Sequence, residues 1–111
     1  MKGGIFKYRT EMGFAEVKAP GGAKFLSAAM PDENDPPGMV GCWVWMFVPN
    51  MDNNLFTYKI KCIVTGMAGP DEMHMIEEMA FLARLDMKSP GITYRLHMFV
   101  NPNHMFVPAQ R

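Results

Sequence analysis

Cysteine, histidine and net charge are all scarce in this chain, and each scarcity excludes something. Two cysteines, Cys42 and Cys62, cannot make the disulfide framework of a small secreted domain. The three histidines, His74, His97 and His104, stand at no zinc-site spacing from one another or from a thiol, so no metal is expected. Eleven basic and eleven acidic residues cancel. Without a basic excess, no nucleic-acid polymer is expected as a partner. No apolar run approaches the roughly 18 residues of a membrane helix, and "MKGGIFKYRT" lacks the core of a signal peptide. The expectation is a cytoplasmic protein with no membrane partner.

Catalytic signatures are missing as well. Ser27 and Ser89 have no G-x-S-x-G context. Both thiols lie in apolar segments, where a cysteine packs rather than reacts. Asp32, Glu33 and Asp35 fall in a loop, and Glu77 and Glu78 on a solvated helix face. "TGMAGP" has neither the Lys-Ser/Thr of a P-loop nor a third glycine. The chain is expected to be no enzyme and to need no cofactor.

What is present is a pattern of strands. The 111 residues suit a single β-rich domain spanning 1–111, with 49% apolar and 20% charged residues. Thirteen methionines imply a tolerant core or an adaptable apolar surface. Glycine and proline recur about every ten residues, with alternating segments between them. Strands are expected near Ile5–Arg9, Phe14–Ala19, Lys24–Met30, Cys42–Val48 and Leu55–Val64. Two more flank the "KSPGI" turn. "GPDEMHMIEEM" predicts a short helix near 71–79, with Pro70 in its first turn, Asp71 and Glu72 at the positive end of its dipole, and Met73, Ile76 and Ala80 as its apolar stripe. The fold class is α+β, mainly antiparallel, with about seven short strands.

Two hairpins follow from alternation. In the first, Trp43, Trp45 and Phe47 would face Lys61, Lys59 and Thr57, with Cys42 opposite Cys62 on the other side. In the second, around Pro90-Gly91, Met87, Leu85 and Ala83 would meet Tyr94, Leu96 and Met98. Its other face would pair Asp86 with Arg95 and Arg84 with His97.

Five segments in order, "IFKY", Gly22-Ala23-Lys24-Phe25-Leu26, Cys42-Trp43, Thr65-Gly66 and Leu96-His97-Met98-Phe99, resemble a family of small phage-encoded proteins of unknown function. The turn histidine of that pattern is replaced here by Met67. The resemblance implies a phage origin and a small β-rich fold, and no activity.

The aromatic-basic face of the first hairpin is the leading candidate site, with Trp43, Trp45, Lys59 and Lys61 binding a planar anion. Arg84, Arg95 and His97 form a second candidate, and burial under another sheet or subunit is the competing reading of the indoles. At the end of the chain, Asn101-Pro102-Asn103 must break the last strand. Met105-Phe106-Val107 then needs something to pack on, either its own subunit or a neighbour's edge. The expectation is a C-terminal extension, 101–111, that makes a homo-oligomer through Phe47, Met105, Phe106 and Val107. The functional expectation is a non-catalytic protein of the host cytoplasm that sequesters a nucleotide-like defence signal. The alternatives are a module that inhibits a host protein, or a virion or assembly component.

Overall fold

Period-two burial runs through the longest apolar phrase of the chain. Val44, Met46 and Val48 are fully buried, while Trp43, Trp45 and Phe47 occupy the opposite, half-covered face of the same strand. The computed structural model describes residues 2–108. Among them lie seven strands: β1 (Lys2–Arg9), β2 (Glu16–Pro20), β3 (Lys24–Ala29), β4 (Trp43–Asn50), β5 (Leu55–Val64), β6 (Ala80–Ser89) and β7 (Ile92–Val100). One helix, α1 (Pro70–Ile76), stands between β5 and β6, and a 3₁₀ turn, Pro102–His104, follows β7.

The strands form two antiparallel sheets, one ordered β1-β4-β3 and the other β2-β5-β7-β6. Their inner faces share one core. Val44, Met46 and Val48 meet Val17, Phe25, Tyr58, Ile60, Leu85, Leu96, Met98 and Val100 in a single buried cluster. Each such side chain contributes about 1.5–3 kcal/mol by leaving water, and two layers closing on one core satisfy both sheets.

The first expected hairpin does not form. β4 pairs with β1 along its whole length, from Lys2 opposite Asn50 to Arg9 opposite Trp43, and with β3 on its other side. Both edges of β4 are thereby filled, and β5 joins the other sheet between β2 and β7. The segment 50–54 crosses between sheets rather than turning a hairpin. Trp43 and Trp45 therefore do not face Lys61 and Lys59, and Cys42 does not oppose Cys62, whose ladder partner is Met98. Both thiols are free. Burial pushes Cys42 up to about 11 and Cys62 up to about 12.

The second hairpin forms in the expected register, with Leu85 opposite Leu96, Asp86 opposite Arg95 and Arg84 opposite His97. The helix is shorter than expected. It ends at Ile76, turns through Glu77–Met79, and leaves Met73 and Met75 half exposed. None of its residues is buried, so it lies on the second sheet's outer side without entering the core. No helix is long and apolar enough to cross a membrane.

Two glycines set the geometry around β4. A side chain at Gly3 would run into the backbone of Val48 and Pro49, so glycine lets β1 lie close along β4. Gly41 has φ +98, and a Cβ there would strike Thr10 Oγ1 and the Gly13 carbonyl. Thr10 is buried; it donates to the Gly13 carbonyl at 2.6 Å and accepts the Cys42 N–H at 2.9 Å. This knot holds Cys42, the residue before β4, and so fixes where the strand begins.

Candidate functional site

The outer face of the first sheet is built from three strands. Along β4 it presents Trp43, Trp45 and Phe47 at every second residue. β1 places Arg9 opposite Trp43, Lys7 opposite Trp45 and Ile5 opposite Phe47. β3 places Ala29, Ser27 and Lys24 at the same three levels. The cations beside the tryptophans are thus Lys7 and Arg9 of β1, not Lys59 and Lys61. The alternation Ile5, Lys7, Arg9 was the available signal, because period two puts all three on one face of a strand.

Trp43 is held on two sides. The Lys7 ammonium lies 4.3 Å from its ring centroid, a contact of about 0.5–1 kcal/mol at an exposed site. Its indole N–H donates to Asp35 Oδ1 at 3.0 Å, and the other carboxylate oxygen of Asp35 accepts the Asp32 N–H at 2.8 Å. The proline-rich loop before β4 therefore ends in a bracket for one indole. The Asp32 N–H is the main cause that holds the Asp35 carboxyl below its ordinary value, with the Trp43 N–H and the Lys7 charge acting in the same direction.

Trp45 differs. Among the described residues its ring has no aromatic or cation partner and its N–H has no acceptor, and Arg9 has no carboxylate partner. One indole is fixed and its neighbour is unengaged, with an unneutralised guanidinium at the level of the first.

The C-terminal segment completes this sheet from within the same chain. Asn101 caps the 3₁₀ turn by accepting the Asn103 N–H at 2.9 Å. Met105 then bridges Phe25 in parallel register, and the Phe106 N–H donates to the Phe25 carbonyl at 3.0 Å. The Phe106 ring packs on Phe47 at 5.5 Å, and Lys24 Nζ reaches the Asn103 carbonyl. Met105, Phe106 and Phe47 are therefore joined inside one subunit. Met105 and Phe106 find their partner on the open edge of β3. Val107 is 72% exposed and packs on nothing comparable. The expected extension beyond Pro108 lies outside the described residues.

Lys59, Lys61, Arg84, Arg95 and His97 gather instead on the outer face of the second sheet. Lys59 pairs with Glu16 at 3.1 Å, Lys61 with Glu72 of α1 at 2.9 Å, and Arg95 with Asp86 at 3.6 Å. Thr65 Oγ1 lies 2.7 Å from His97 Nε2, and Phe81 packs on Phe99 at 5.7 Å. The seven expected ligand-binding residues are thus divided between two opposite faces.

A cavity of about 440 Å³ opens beside α1, lined by Phe56, Lys59, Met75, Met79, Pro102 and His104 among others. His104 stacks edge-on against Tyr58 at 4.9 Å, and its Nδ1 is buried without a partner. Burial, then the nearby Lys24 charge, lowers its pKa and favours the neutral ring. Among the described residues no three His, Cys, Asp or Glu side chains gather as metal ligands. Compared with family models, curated proteins and solved structures, the chain matches none.

Proposed function

We propose that this protein is a non-catalytic binding protein that takes a planar anion, of nucleotide kind, on the outer face of the first sheet. Trp45 is the stacking surface, Arg9 and Lys7 receive the negative charge, and Trp43 is the fixed wall. The observation that carries the reading is the unengaged Trp45 indole, one level along β4 from the Arg9 guanidinium, which has no acidic partner among the described residues. A ring stacked on an indole gains about 1–3 kcal/mol, and a phosphate beside Arg9 gains a charge-assisted hydrogen bond. The phage resemblance extends the proposal to sequestration of a nucleotide defence signal in the host cytoplasm, where a small binder acts without chemistry.

Calorimetric titration with adenosine 5′-monophosphate tests it. The expected result is saturable binding that weakens by about 10–100-fold in Trp45→Ala with the fold intact. An unchanged affinity in that variant overturns the site.

A second reading is supported by the exposed Met73, Met75, Phe56 and Phe81 around α1. Flexible methionines on a surface suit an adaptable protein partner, and the module would then inhibit a host protein through that side. Loss of partner capture in Met75→Lys, with nucleotide binding intact, would place the activity there.

A further inference from the structure

The platform continues past the pair of tryptophans. Side chains on one face of a strand recur every second residue, about 6.7 Å apart at a rise near 3.35 Å per residue. Trp43, Trp45 and Phe47 therefore stand in a row of three, each at its own level of the sheet. The third level is not a lone phenyl ring, because Phe106 packs against Phe47 and is itself 37% exposed. Cations flank the row from the neighbouring strands: Arg9 and Lys7 are the ladder partners of Trp43 and Trp45, with the Lys7 ammonium reaching over the Trp43 ring, and Lys24 is the ladder partner of Phe47. Asp35 approaches this face and is turned to the Trp43 indole N–H. The zero net charge of the chain averages over surfaces and conceals this local excess, since the acidic residues Glu16, Glu72 and Asp86 are engaged with cations of the other sheet.

We infer that this face binds a short single-stranded nucleic acid: the Lys7 ammonium moves from the Trp43 ring to a phosphate, successive unstacked bases lie on Trp43, Trp45 and the Phe47–Phe106 pair, and phosphates run beside Arg9 and Lys7. The inference rests on the proposed nucleotide reading of the same face and adds that the site is three bases long. Ring spacing is the physical reason. At about twice the 3.4 Å rise of a stacked strand, neighbouring rings cannot serve two bases that remain stacked on each other. They suit a strand whose bases are splayed. Rings accept any base, so sequence preference is weak. Duplex DNA is excluded because its base faces are covered. The C-terminal segment takes a direct part, since it supplies Phe106 and, through Asn103, holds Lys24.

The test is a fluorescence titration with 5′-phosphorylated thymidine oligomers of one to six nucleotides. The only two tryptophans of the chain, Trp43 and Trp45, both lie on this face, so intrinsic emission reports it alone. Affinity is expected to rise about fivefold or more with each nucleotide up to three and then to level off. Phe106→Ala should weaken the trimer by about fivefold or more and leave the mononucleotide unchanged. With two phosphates neutralised, the slope of log affinity against log salt should be about −1.4 for the trimer. Mononucleotide and trimer of equal affinity would overturn the strand and leave the single-nucleotide reading standing. Binding of neither overturns both, and a duplex bound as tightly as the trimer overturns the single-strand geometry.

Discussion

On the outer face of the second sheet, Lys59 meets Glu16, Lys61 meets Glu72 and Arg95 meets Asp86. On the outer face of the first, Lys7 lies over an indole and Arg9 has no acidic partner among the described residues. Both faces carry aromatic rings and cations, yet the surroundings of the cations differ. Carboxylates across a strand neutralise a lysine and leave little field for a ligand. A ring beneath a lysine leaves its charge in place and supplies a flat apolar surface next to it. The comparison teaches that residue class alone does not mark a site, and that the charge partner decides.

The comparison can be broken by substitution. The largest effect is expected from Trp45→Ala, about 10–100-fold in nucleotide affinity by calorimetry, whereas Phe81→Ala on the other face should change it less than twofold. If Phe81→Ala weakens binding equally, the two faces are not distinct. Next comes the joint beneath both faces. Tyr58 donates to the Pro20 carbonyl at 2.8 Å and accepts the Ala23 N–H at 2.9 Å inside the core. Tyr58→Phe leaves both groups without that partner and should lower stability by about 1–3 kcal/mol in urea unfolding.

Acidity provides a subtler test. The folded-state pKa of His104 is depressed, so the unfolded chain binds the proton more readily. Its contribution is present above the unfolded value near 6.5 and is lost as pH falls through the folded value. The melting temperature should decline as pH drops below about 6.5, and His104→Gln should flatten that part of the profile. Lys59 and Glu78 at the cavity and the Lys24 charge face this region. Asp35 obeys the same sign at lower pH. Its depressed pKa stabilises the fold above the usual carboxylate value near 4, and that stability and the bracket on Trp43 are lost as pH falls through its own lowered value. The smallest effect is expected on the second face, where Glu72→Gln frees the half-exposed Lys61 with little change in stability, because an exposed ion pair is screened by water. Nucleotide affinity should not change.

Legibility in the sequence followed the range of the interactions. The β6–β7 hairpin was readable residue by residue, because its strands are joined by a two-residue turn and alternation then fixes the register. For β4, alternation correctly separated Val44, Met46 and Val48 from Trp43, Trp45 and Phe47. It could not say which strand would lie alongside, and that depends on β1, more than thirty residues away. Local alternation pairs the tryptophans with the lysines of the next strand in sequence, whereas Lys7 and Arg9 of the first strand stand beside them. The tail was half readable. Asn101-Pro102 had to break β7, but the open edge of β3 that receives Met105 and Phe106 exists only once the sheets are assembled. Asp35 gave no local signal, since a carboxylate in a loop acquires its role only when the loop closes over Trp43.

The most direct measurement is quenching of tryptophan emission by iodide and by caesium, with and without adenosine 5′-monophosphate. Both indoles report the same face, so the comparison of an anionic with a cationic quencher reads the charge beside them. The expectation is that iodide quenches the free protein more strongly than caesium, and that the nucleotide protects against iodide. Equal quenching by the two ions, unaffected by the nucleotide, would contradict it.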